Sequence, residues 1–157
     1  MEFLARLFGS NGTKVAPLSP QSQREPILAY RAWRISGETL QSCTCDCLWN
    51  PRKRMDACCN HHVRHACVPS WNCECGFYGY KSEEGLAASG YPQTQPCRTV
   101  QGRVALWGRV IDHELGYRAE RAYPQLLYLS GNQFDDVVRR LAEHYAIECM
   151  PHRLLAC

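Results

Sequence analysis

Eight of the eleven cysteines of this chain, Cys43, Cys45, Cys47, Cys58, Cys59, Cys67, Cys73 and Cys75, fall between positions 43 and 75, alongside His61, His62 and His65. Thiols at that density are cross-linked, buried one by one, or gathered on a metal, and the compartment decides which. The N-terminal MEFLARLFG has too short an apolar core for a signal peptide and carries Arg6 within it, so a cytoplasmic location is expected. Thiols stay reduced there, and clustered cysteines then point to metal or redox chemistry before disulfides.

The sharpest grouping is CCNHHVRHACVPSWNCECG. A structural zinc needs four ligands held tetrahedrally, with thiolates and imidazoles preferred, and Cys59, His65, Cys73 and Cys75 supply such a set. Gly76 permits the tight turn that exposes both sulfurs of the CxC pair. Cys58, His61, His62 and Cys67 compete for the same role, and CxC spacing is less diagnostic than CxxC. CTCDC forms a second group at Cys43, Cys45 and Cys47, fit for a second zinc or an iron–sulfur cluster that draws on Cys58 or Cys67. Two readings without a metal stand beside it. One is small residues alternating on a half-buried strand, and the other is a redox-active thiol activated by Arg52, Lys53 and Arg54.

The length of 157 residues fits one domain. Residues 1–26 read as a short amphipathic segment followed by a Gly/Ser/Pro/Gln-rich linker. Residues 27–157 read as a single α+β domain, a small antiparallel sheet with a C-terminal helix packed on it. Its Cys/His-rich insert, residues 42–76, lacks either period and is expected to be ordered by the metal. Strands are expected at 27–35 and 77–81, and Ser82 caps a helical turn. The clearest alternation is GRVALWGRVI: Val104, Leu106, Gly108 and Val110 share one face, Trp107 and Ile111 the other. Asp112 to Gly116 turns this strand back into Tyr117–Tyr123; Pro124 ends or offsets the pairing, and QLLYL continues beyond it. Asn132 is placed to cap a helix carrying Phe134, Val137, Val138, Leu141 and Tyr145 on one face, with Asp135–Arg139 and Asp136–Arg140 paired on the other.

A net charge of +3 gives no electrostatic case for a dedicated nucleic-acid binder. No apolar run approaches the ~20 residues of a membrane-spanning helix, which leaves weak peripheral membrane or partner contact through residues 3–8. Trp49, Arg52, Arg54, Trp71 and Arg118 are candidates for a recognition surface. Arg52, Lys53, Arg54 and Arg64, with Trp49 and Trp71 interleaved, form the alternative of a zinc-ribbon-like nucleic-acid module. A further alternative is an acid/base site at His113 and Glu120, against which stands simple cross-strand ion pairing. Nucleophile and phosphate-loop motifs are absent. The leading expectation is a non-enzymatic, zinc-stabilised module that recognises a protein partner, with an iron–sulfur cluster as the second choice of cofactor.

Four segments, YRAWRI (Tyr30–Ile35), CECGFYGYK (Cys73–Lys81), VALWGRVIDHELGYRAERAYP (Val104–Pro124) and RLAEHYAI (Arg140–Ile147), occur in this order. In them the chain resembles a set of small proteins found in actinobacteria and their phages, to which no activity is attached. The resemblance implies that Cys73, Cys75 and a preceding Cys and His belong to the common pattern. The cysteines at 43–47 and Cys67 depart from it.

Overall fold

The computed structural model describes residues 23–59, 67–90 and 99–153, and within them the sheet grows from one long hairpin. Its strands, β6 (Thr99–Asp112) and β7 (Gly116–Leu129), pair antiparallel along most of their length. Val100, Val104 and Leu106 turn inward as the period-2 pattern requires. The expected alternation then fails at Gly108. Gly108 has φ +79°, and the register shifts between Trp107 and Val110, so two residues of β6 oppose Glu120 alone. This is a bulge with glycine in the left-handed region. Beyond it the inward position passes from Val110 to Ile111, which is buried. Pro124 offsets the ladder without ending it, since the register shifts opposite Pro124 and β7 runs on to Leu129.

β1 (Gln23–Ser36) begins four residues before the expected boundary and pairs antiparallel with β6 along its outer edge. β2 (Thr39–Ser42) folds back on β1, and β3 (Leu48–Trp49) on β2. The free edge of β7 takes three strands in succession: β5 (Phe77–Tyr80), β4 (Met55–Asp56) and the parallel β8 (Glu148–Pro151). The sheet is therefore mainly antiparallel, as expected, and mixed only through the parallel β8. It also curls until β5 meets β1 at Tyr80 and Tyr30, so that β1, β6, β7 and β5 form a ring. Gly79 makes this closure possible: a Cβ there would lie 2.6 Å from the Cβ of Ala29 and 3.1 Å from Val104 and Leu106.

The two helices are α1 (Glu83–Ala88) and α2 (Asp135–Tyr145). Ser82 caps α1 by accepting the amide of Gly85 at 3.0 Å. α2 starts later than expected, because the carboxylate of Asp135 accepts the amides of Ser130 and Gly131 and so holds the loop before the helix. Asp135 is thus unavailable to Arg139, and the surface pair that forms is Asp136–Arg139 at 3.3 Å. The inner face of α2, Val138, Leu141, Ala142 and Tyr145, joins the main core with Trp33, Leu40 and Trp49. Tyr145 ties the layers together: its hydroxyl donates to the carbonyl of Trp49 and accepts the amide of Leu40. No helix among the described residues is long and apolar enough to cross a membrane. The amphipathic segment and most of the linker, residues 1–22, lie outside the described residues.

Candidate metal centre

Cys59, Cys73 and Cys75 come together, their three sulfurs all within 4.8 Å of one another. The free edge of β7 assembles them. β5 pairs with residues 116–119 and β4 with 121–122, so the two strands lie end to end on one edge. Cys59 follows β4, whose path is prolonged by the amide of Ala57 donating to Glu120 O at 2.8 Å. Cys73 and Cys75 immediately precede β5. The thiols therefore meet where the two short strands abut.

Gly76 provides the turn. Its φ of +113° is one that side chains rarely adopt, and a Cβ there would stand 3.0 Å from Pro69 Cβ and 3.2 Å from Ala119 O. The CxC pair is thus presented on a bend packed directly on β7.

The spacing suits a tetrahedral ion. With metal–sulfur bonds of about 2.3 Å, two sulfurs on one zinc are separated by about 3.8 Å. Cys59 Sγ and Cys73 Sγ are 3.6 Å apart. Burial pushes the Cys75 thiol up to about 11, and the adjacent Cys73 and Cys59 add to this, while a hydrogen bond from the Ser70 backbone partly offsets it. A cation bound among the three sulfurs would displace their protons and stabilise the thiolates. Three thiolates leave one tetrahedral position for a further ligand. His65, the expected fourth ligand, and its competitors His61 and His62 lie outside the described residues. Cys58 and Cys67 are exposed and stand outside the group of three.

Arg118 organises this knuckle. Expected on a recognition surface, it is instead buried, with 3% of its surface exposed. Its Nη1 donates to the carbonyls of Cys73 and of Cys75, the latter at 3.1 Å, and its Nη2 donates to Ser70 O at 3.2 Å. Its Nε donates to His113 Nε2 at 2.9 Å. Burial, followed by the charge of Arg118, lowers His113 to about 4, with Asp112 opposing, so the ring is a neutral acceptor. The edge of Trp71 packs on that ring with centroids 5.8 Å apart, leaving Trp71 53% exposed. Nothing in the sequence period marked Arg118, because a guanidinium that binds carbonyls across the fold leaves no local pattern.

Other expected site residues lie apart. Trp49 is fully buried between Trp33 and Phe77, and its indole donates to Ser42 Oγ at 2.9 Å, which removes it from any recognition surface. Arg52 and Arg54 are exposed, Arg54 within 3.2 Å of Asp56. Glu120 is drawn into the Gly108 bulge, accepting the amide of Arg109 at 3.0 Å, while His113 is held by Arg118. Two clefts open elsewhere. One of about 430 Å³ lies between Glu38 and α2 and a smaller one beside Cys43, and neither is lined by His113 or Glu120. The second cysteine group is not gathered on one centre. Cys45 and Cys47 are joined as a disulfide, and Cys43 Sγ turns back to Ala32 O at 3.5 Å. No family model, curated protein or solved structure matches the chain.

Proposed function

We propose that the protein is a non-enzymatic binding module stabilised by one zinc ion, held by Cys59, Cys73, Cys75 and a histidine of the 60–66 segment, with His65 first and His61 or His62 the other choices. The observation that carries this reading is the trio of sulfurs within 4.8 Å, two of them at the separation a tetrahedral zinc requires. The reading as a structural site is supported by its sulfurs lying on a strand junction and its carbonyls being engaged by Arg118.

The partner in this reading is a protein, met through Trp71, which is exposed beside His113, with Leu115 also exposed on the β6–β7 turn. Exposed aromatic side chains on a rigid support dominate protein recognition. The nucleic-acid alternative has less support, since net charge is +3 and Arg54 and Arg121 both engage Asp56.

Elemental analysis of protein purified without added metal tests the centre. About one zinc per chain is expected, lost in Cys73→Ser and Cys75→Ser and kept in Cys149→Ser. A metal-free, stable wild type defeats the reading. A photo-crosslinking residue in place of Trp71 tests the partner class, because a trapped adduct is destroyed by protease if it is protein and by nuclease if it is nucleic acid.

A further inference from the structure

We infer that Arg118 is the positioning residue of the metal centre, fixing the two CxC sulfurs through their own carbonyls and supplying the positive charge that an anionic thiolate–metal complex needs beside it. The inference rests on the proposed Cys59–Cys73–Cys75 centre and extends it to a residue that binds no metal itself.

The first argument is charge. Arg118 is buried, and among the described residues no carboxylate forms an ion pair with it: its acceptors include the carbonyls of Ser70, Cys73 and Cys75 and the ring of His113. Residues 60–66, NHHVRHA, contain no acid either. A buried guanidinium without an anion is costly, and proteins rarely keep one. Three thiolates and one divalent ion sum to a single negative charge. The complex and Arg118 neutralise each other, and each makes the other's burial tolerable.

The second argument is geometry. A guanidinium presents its donors in a rigid planar fork, which an ammonium cannot reproduce. Here the fork spans carbonyls at 70, 73 and 75, curving the loop around one centre. The far side of the fork is fixed by Nε on His113 and by the Tyr78 ring, whose centroid lies 5.9 Å from the guanidinium carbon. Tyr78 is also the residue paired with Arg118 across β5 and β7. The sulfurs thus acquire their positions from β7, one strand away from their own segment. Partners that orient metal ligands from outside the coordination sphere typically change affinity by about 10–100-fold when removed.

The test is a Co²⁺ titration of the reduced full chain, read by the thiolate-to-cobalt charge-transfer and d–d bands, with Zn²⁺ competition for affinity. Wild type is measured first, and failure to develop thiolate–cobalt bands overturns the metal centre itself and this inference with it. Given wild-type binding, Arg118→Lys is expected to bind about 10-fold more weakly with displaced d–d bands, and Arg118→Met about 100-fold more weakly, Lys giving a partial rescue through its charge. Arg54→Met, a surface arginine bound to Asp56, is expected to match wild type. If the Met variant does not fold, the Lys variant decides. Wild-type affinity and bands in Arg118→Lys, even with lowered thermal stability, would reduce Arg118 to a structural staple and overturn the inference.

Discussion

Of the two cysteine groups of this chain, the denser in sequence is CTCDC, yet the fold gathers the other. Around Cys73 and Cys75 the backbone is bent at Gly76, anchored to β7 by β5 and clamped through its carbonyls by Arg118. Cys59 reaches the same point from a second strand on the same edge. Around Cys45 and Cys47 the chain is an exposed bend, tied by Arg34 to the Cys45 carbonyl and to Asp46, both at 3.3 Å. Among the described residues no second strand delivers a further thiol there, and Cys45 and Cys47 are joined to each other. Ligand density suggests where thiols could gather; converging backbone supports bring them together.

Chelation and cysteine replacement give the largest expected difference between the two regions. Structural zinc contributes roughly 10 kcal/mol to small metal-dependent folds. Cys73→Ser or a strong chelator should therefore cost several kcal/mol and loosen the segment before β5, while Cys47→Ser under reducing conditions should cost within about 0.5 kcal/mol. Denaturant unfolding with and without chelator makes the comparison, and equal losses at Cys47 and Cys73 would break it.

The 43–47 bend is held by its apolar neighbour, so Trp49→Ala should do there what the thiols do not. Trp49 lies under Trp33, Phe77 and the guanidinium of Arg31, 4.9 Å from the ring centre. The loss expected for such a buried ring is about 3–5 kcal/mol, read as a shift in denaturant midpoint with zinc content unchanged.

Glycine replacement sharpens the contrast between a built turn and an open one. Gly76→Ala meets both a forbidden φ and the backbone of Ala119, and should cost about 1–3 kcal/mol together with metal affinity. Gly37→Ala, at φ +60° with nothing within 4 Å of the new methyl, should cost about 1 kcal/mol and leave the metal in place.

A pH dependence confined to the knuckle completes the comparison. His113 is lowered from its ordinary 6.5 to about 4 in the fold, so between these values the unfolded chain binds the extra proton. Stability then falls as pH drops from 6.5 towards 4, and at higher pH this contribution is constant. For a half-buried ring the loss should be about 1–3 kcal/mol. The wild-type minus His113→Gln difference in unfolding free energy at pH 7 and pH 4.5 isolates it, and no change in that difference would detach His113 from Arg118.

The sequence alone determined the α+β class, the β6–β7 hairpin, the apolar face of α2 and Cys59, Cys73 and Cys75 as candidates, because these are written in local periods and short spacings. The bulge at Gly108 was hidden, since glycine satisfies an alternation and breaks it equally well. β3 and β4 were hidden too, for a two-residue strand has no period. Only the tertiary structure decided that Trp49 belongs to the core, that Cys45 and Cys47 face each other, and that Arg118 points inward to the cysteine carbonyls. Each of these depends on which strand shares an edge with which. That pairing comes from burying the sheet as a whole, and no single stretch of chain encodes it.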